Sequence, residues 1–385
     1  MMLARLIVLL IGLSLAAEAQ SGVLLGIRDD ASDANYKTYW ITNSGDRPVV
    51  AAVLPDLIVP RKDGFWRVGV YHHSFYNRYD PGSMLELPGP DASYFKDIEQ
   101  KLYIVPISKR PQVELSADDP LPSQEKSDED APNEPCTIEA VTITYLAPEN
   151  IGLQNRDTQT PECEPGHYAT FGTNEFLSLE QALAPANGTP RGIVILDKLS
   201  DAQKQTLRKE ITEAAEEEST NREDYDLLSD LSLTVGHGGG SWNLLGWTAS
   251  RTVTRGGSDY EFSLPAPATV VHSTHPQPAV AAQLRKIEGL TDYFVSPSGD
   301  LVVAFVRTKL VAYRITAGKL SAPTELAQLS TNPVPMITQW ARGGPGQFTP
   351  IMAEWSVGKY VSVWDAQMKQ LKLPAVETHT VKAKQ

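Results

Sequence analysis

From residue 22 onward the chain is dominated by short runs of alternating or β-branched residues, the pattern of half-buried strands. Tyr36 to Thr42 is rich in aromatic and β-branched residues and predicts a strand. Ser44-Gly45-Asp46 is a turn, and Pro48 to Leu54 reads as the next strand. Leu57 to Pro60 leads to the hairpin-type turn signal Lys62-Asp63-Gly64. Phe65 to Tyr71 then alternates Phe65, Arg67 and Gly69 against Trp66, Val68 and Val70. Leu102 to Ile107 is one more strand, with Pro106 suggesting an edge. Thr137 to Leu146, Tyr168 to Phe171 and Gly192 to Leu196 carry the β pattern through the middle of the chain. Leu231 to Val235, Asn243 to Thr254 and Tyr260 to Leu264 form a meander with glycine-rich turns. Tyr293 to Val295, Leu301 to Val306 and Leu310 to Ile315 follow as consecutive antiparallel strands.

Helical signals are fewer. Ser178 with Gln181 makes a capping box before Leu179 to Leu183. Ser200 with Gln203 makes a second, before Leu207, Ile211 and Ala215 on one face of a helix ending near Glu218. Ile351 to Leu371 also predicts a helix, whose face of Val357, Val361, Trp364, Met368 and Leu371 packs on a core. The fold class expected is α+β and β-dominated, with antiparallel sheets and a few helices. The alternative is a partial β-propeller-like or all-β architecture. Residues 20–113 form an N-terminal β-rich domain and 114–135 a disordered acidic linker. Residues 136–230 form an α+β segment and 231–385 a β-meander plus helix. Whether these last two pack as one domain is left open by the pattern.

Composition and charge narrow the function classes. The 385 residues are 41% hydrophobic and 21% charged, the balance of a folded protein rather than a disordered one. The formal charge is −13. Its basic spots, Lys109-Arg110 and Lys369 to Lys372, are too short to neutralise a phosphate backbone, so a nucleic-acid partner is not expected. The acidic excess is local. Residues 114–134 hold eight acidic side chains against one basic, and residues 209–226 eight against two. Those two stretches account for the whole net charge, so the folded lobes are close to neutral.

The N-terminus predicts export. Arg5 precedes an apolar run from Leu6 to Leu15, and Ala17-Glu18-Ala19 is a small-x-small cleavage site. Residues 1–19 thus read as a signal peptide, cleaved before Gln20. The run is shorter than the roughly 20 residues a membrane span needs. No membrane span is expected after cleavage, and the location expected is periplasmic or secreted. In that compartment Cys136 and Cys163 predict one disulfide.

Several residues are candidates for chemistry. His237-Gly238-Gly239-Gly240-Ser241 is similar to the oxyanion loop of lipases, but no G-x-S-x-G elbow accompanies it, so a hairpin turn is the better reading. His237, His272 and His275 could build a three-histidine metal site, yet H-E-x-x-H is absent and Pro276 and Pro278 keep the local chain extended. No cofactor is expected. Tyr71, His72, His73 and Tyr76 lie in a stretch dense in aromatic and polar groups, where a strand end runs into a loop. Such groups serve exported ligand-binding surfaces. Glu210, Glu213, Glu216, Glu217 and Glu218 read as a solvated helix face. Asn187-Gly188-Thr189 fits a glycosylation sequon.

Three stretches together resemble a known family. They are Ile143 to Leu153 (ITYLAPENIGL), then Gly166-His167 with Phe176 to Leu183, then Tyr293 to Tyr313. The resemblance is to the DUF3298-type extracytoplasmic domain of lysozyme-responsive anti-sigma factors and peptidoglycan-deacetylase-associated proteins. It implies binding at the cell envelope rather than catalysis, with His167 the family position carried over. Leu57 to Val70 resembles one WG-type β repeat, and Ser296 to Leu320 half a propeller blade, each without a second copy. The function expected is that of an exported, non-catalytic envelope protein binding a protein or cell-wall ligand. The alternative is a secreted hydrolase with an unrecognised, metal-dependent site.

Overall fold

The computed structural model describes residues 21–29, 35–43, 47–79, 93–116, 137–159, 169–183, 193–217, 228, 231–248, 258–271, 274–341 and 361–381. These residues are α+β and β-dominated, with mainly antiparallel sheets. The strands begin with β1 (Gly22–Arg28), β2 (Tyr36–Thr42), β3 (Val49–Pro55), β4 (Leu57–Arg61), β5 (Gly64–Tyr79), β6 (Ser93–Pro106) and β7 (Gln112–Ser116). Next come β8 (Thr137–Leu146), β9 (Asn150–Gln159), β10 (Ala169–Ser178), β11 (Leu231–Gly238), β12 (Ser241–Thr248) and β13 (Ser258–Pro265). The last are β14 (Leu290–Val295), β15 (Leu301–Val306), β16 (Lys309–Thr316), β17 (Lys319–Leu320), β18 (Thr324–Gln328), β19 (Val334–Ala341) and β20 (Glu377–Val381). The helices are α1 (Leu179–Leu183), α2 (Asp201–Glu217), α3 (Pro278–Leu284) and α4 (Val361–Gln370). The chain forms two compact units, one of residues 1–31, 35–65 and 274–372, the other of residues 32–34, 66–273 and 373–385.

In the first unit, β1 lies between β2 and β19 in a four-stranded antiparallel sheet completed by β3. Both faces of β1 are covered, and Val23, Leu24, Leu25 and Ile27 are fully buried. Gly26 is required where β1 passes under its neighbours, because a Cβ there would run into Ile337 and Leu57. Thr38 Oγ1 on β2 donates to the Asp56 carbonyl at 2.8 Å and accepts the Ile58 N–H at 2.9 Å, which lays β4 over this sheet. Trp364 of α4 packs against Trp40 (ring centroids 5.7 Å) and Phe65 (5.4 Å). The Trp40 indole N–H donates to Asp365 at 3.2 Å. Strands β14 to β18 form a consecutive meander of the kind that makes a propeller blade. Val280 and Leu284 of α3 bury against its Val295, Val302, Ala304, Val311 and Tyr313.

In the second unit the order β10-β9-β8-β6-β5 runs through one sheet, antiparallel except where β8 joins β6 in parallel at Asp97 to Glu99. A second sheet, β11-β12-β13, packs on it. Thr144 and Thr234 hydroxyls meet at 2.9 Å across the interface, and Tyr145 stands edge-on to Trp242 with centroids 4.7 Å apart. Arg156 on β9 clamps the two sheets. Its guanidinium lies 4.0 Å over the Trp247 ring. Nη1 donates to the carbonyls of Asn155 (2.8 Å) and Thr173 (3.2 Å). Nη2 donates to Asn174 Oδ1 at 2.9 Å and to the Asp259 carboxylate. Glu210 of α2 accepts the backbone N–H (3.1 Å) and hydroxyl (2.6 Å) of Ser263 on β13. Strands β7 and β20 pair in parallel and place Val113 and Val376 beside Tyr71 and Tyr103.

Both capping boxes form. Ser178 and Gln181 exchange bonds of 2.9 and 3.1 Å, and Ser200 and Gln203 bonds of 2.9 and 3.3 Å. Three local expectations need correction. The stretch Tyr71 to Tyr79 is strand throughout, because β6 pairs with it as far as Tyr79 opposite Ser93. Within the apolar run at 192–196 the described residues 193–196 are not strand, and Ile195–Lys198 is a 3₁₀ turn that buries Ile195. Pro278 does not extend the chain but opens α3, where its missing N–H costs nothing. The last helix is described as Val361–Gln370, and residues 351–360 of the expected helix lie outside the described residues. In addition, β7 occupies 114–116, the start of the acidic stretch expected to be disordered, and 117–135 lie outside the described residues.

Replacing Arg156 with lysine should cost about 2 kcal/mol of stability, since an ammonium can neither stack flat on Trp247 nor fork to four acceptors. Urea denaturation of Arg156→Lys and Arg156→Ala checks this, and near-equal losses are the expected result.

Candidate functional site

The densest chemistry among the described residues lies on one face of the β5-β6-β8-β9-β10 sheet. Residues directly opposite in a ladder share a face. His73 is in register with Glu99, Glu99 with Glu139, Glu139 with Asp157, and Asp157 with Phe171. A single row of imidazole, three carboxylates and a ring therefore crosses five strands. Tyr71 and Lys101, also in register, sit two residues along on the same face. Asp97 lies on the other side of Glu99, and Glu175 two positions beyond Thr173 on β10.

The carboxylates differ in environment. Asp97 is buried and accepts the Thr137 N–H at 3.0 Å. Glu99 is 5% exposed and forms an ion pair with Lys101. Glu139 is exposed, and both its cross-strand neighbours are acidic. Desolvation, reinforced by the charges of Glu99, Asp157 and Asp97, pushes its carboxyl above the usual range, and Lys101 only partly offsets this. Glu175 is also raised by burial, against a hydrogen bond from Asn155. Asp157 Oδ1 is buried and meets no hydrogen-bond donor. Phe171, 41% exposed, ends the row on the edge strand.

This arrangement can attract hydrogen-bond donors and positive charge at Glu139 and Asp157, with an aromatic surface beside them. It is poorly arranged for paired-carboxylate hydrolysis. Glu99, the neighbour a general acid–base pair would need, is buried and held by Lys101.

The sequence candidates fall into place unevenly. Tyr71 and His73 belong to the acidic face, with Tyr71 packed near Tyr103 and Val113. His72 points to the opposite face and lies 3.4 Å from Gln100 Nε2. Tyr76 is on β5 opposite Lys96. His237 is opposite Trp242 at the hairpin whose loop is Gly239-Gly240, both with positive φ (61° and 83°), so the glycine-rich segment is a turn. The His237 ring stands edge-on to Trp242 at 4.7 Å. His275 is exposed ahead of α3. His167, His272, Cys136, Cys163 and the Asn187 sequon lie outside the described residues. Among the described residues no group of three or more His, Cys, Asp and Glu side chains could hold a metal ion. No helix among them is long and apolar enough to cross a membrane.

The acidic row escapes sequence reading because its members come from five different strands, and only Glu139 and Asp157 share a short hairpin. Their local spacing carries no motif, and only the register brings them together. No family model, curated protein or solved structure matches the chain.

The pH dependence of stability should report Glu139. Its ordinary value is 4.5, and the folded state raises it. The folded chain then binds the proton more tightly than the unfolded chain, so stability falls as pH rises from the ordinary value through the raised one. Glu139→Gln should raise the urea midpoint at about pH 7 and leave it unchanged at about pH 3.5, below both values.

Proposed function

We propose that the protein is an exported, non-catalytic binding protein of the cell envelope, and that the acidic sheet face is its ligand surface. The observation that carries this reading is Glu139, an exposed carboxylate set between two others and opposite no cation. Like charges in register destabilise a sheet by a few tenths of a kcal/mol or more, and a bound donor or cation would remove that cost. The half-exposed Tyr71 and His73 and the exposed Phe171 add the flat and polar surfaces that envelope ligands use. The N-terminal signal pattern supports export. The likeness of three stretches to the envelope domain of lysozyme-responsive anti-sigma factors supports a protein or cell-wall ligand.

Retention of the purified protein on peptidoglycan and on immobilised lysozyme tests the reading. The expected result is retention on one of them, reduced at least about tenfold in Glu139→Gln/Phe171→Ala, as for the loss of about 1.4 kcal/mol. The thermal midpoint of that variant should be no lower than that of the parent. Absence of retention on both supports overturns the reading.

A further inference from the structure

Strand β10 is the outer strand of its sheet, and its free side is closed along only part of its length. The Asn174 N–H donates to Ser232 Oγ at 2.8 Å, and the Phe176 carbonyl accepts the Ile193 N–H at 2.6 Å. Both groups point away from β9. The β9–β10 ladder has no register shift, and in such a ladder the backbone groups alternate sides from one residue to the next. Thr170 and Gly172 therefore also turn their N–H and C=O groups away from β9. Among the described residues those groups meet no hydrogen-bond partner. The edge is plugged from Asn174 onward and open before it.

An open edge accepts another chain through main-chain hydrogen bonds, and the side chains on its two faces select which chain. Phe171, 41% exposed, and the exposed Thr173 flank Gly172 on the acidic face. Asp157 is directly opposite Phe171 on β9, forms no ion pair among the described residues, and has a carboxylate oxygen without a donor. Glu139 follows it on β8. The opposite face of the same edge carries the paired hydroxyls of Thr158 and Thr170 at 3.2 Å. Beneath Gly172 lies Arg156, which a Cβ at 172 would meet. One face thus calls for positive charge and the other for uncharged side chains.

An added strand meets both demands, because its successive side chains point to opposite faces. We infer that the open edge of β10 takes up an extended peptide segment of a protein ligand, with lysine or arginine at alternate positions, as an added strand whose basic side chains lie over Phe171. The inference rests on the proposed binding function and names its ligand class, since only a peptide backbone can continue the ladder. Strands lie about 4.8 Å apart, so β9 is about two spacings from the added strand. The aliphatic stem of a lysine packs along the Phe171 ring, and its ammonium is directed toward Asp157.

A labelled, end-blocked peptide alternating valine and lysine, titrated into the full-length protein and followed by fluorescence anisotropy, tests the edge. It should bind at least about tenfold more tightly than its valine–glutamate counterpart, and at least about tenfold more tightly than the same valine–lysine peptide with methylated backbone nitrogens, which keeps the charge but loses its main-chain donors. Thr170→Pro removes an outward N–H that the β9 ladder does not use, and it should weaken binding of the unmethylated peptide by a similar factor. Should Thr170→Pro fail to fold, the methylated peptide decides with the unaltered protein. Equal binding of the two valine–lysine peptides, or undiminished binding by folded Thr170→Pro, overturns the edge. Retention on peptidoglycan with no binding of the valine–lysine peptide overturns it as well, and leaves the acidic face with a glycan ligand. No retention on peptidoglycan or lysozyme, with the peptide still bound at the edge, overturns the proposed envelope ligands and keeps the edge.

Discussion

The first unit depends on the capture of β1 between β2 and β19. The register runs from Gly22 opposite Ala341 to Arg28 opposite Val334, so the start of the described chain is paired with a strand more than 300 residues later. Closing a loop of that length costs entropy before any contact rewards it. The reward is the complete burial of Val23, Leu24, Leu25 and Ile27, with Trp40 on the neighbouring strand and Ile337 on the other. The β14–β18 meander lies within the sequence interval that this pairing closes. The second unit, by contrast, is drawn mainly from the continuous run 66–273, and apart from the β7–β20 pair its ladders join strands much closer along the chain.

That difference governs what the sequence could disclose. The hairpins at Gly239-Gly240 and through Leu301 to Ile315 were legible, because the turn residues and the alternation are local. Both capping boxes were legible for the same reason. Strand β1 carries no alternation to read, since it is covered on both faces and presents a continuous apolar run. Its likeness to the apolar run at Leu6 to Leu15 conceals it further. Strand β9, NIGLQNRDTQ, was hidden for the opposite reason. Its Asp157 and Asn155 belong to the polar face and its partly buried Arg156 serves as a clamp, so beyond Leu153 neither side of the strand looks apolar. The run GIVIL at 192–196 misled because a short apolar stretch fits a strand or a buried turn equally well.

The acidic row shows how a sheet tolerates charges that it would be more stable without. Most of the carboxylates are individually accommodated, Asp97 by a backbone N–H, Glu99 by Lys101 and Glu175 by Asn155. The unfavourable remainder is concentrated at Glu139, at the centre of the row, and at Asp157 beside it. Confining the cost to two neighbours leaves the rest of the ladder regular. On the proposed binding reading, a bound group would gain most there, beside the ring of Phe171.

Glu210 has a different consequence. β13 is the outer strand of its sheet, and an outer strand exposes N–H groups that another chain could pair with. Glu210 occupies the N–H and hydroxyl of Ser263 with a carboxylate reaching across from α2. An incoming strand would have to displace that carboxylate and then lie against a helix bearing Glu213 as well. One member of the acidic stretch at 209–226 thus occupies an N–H on this outer strand that another strand could otherwise pair with.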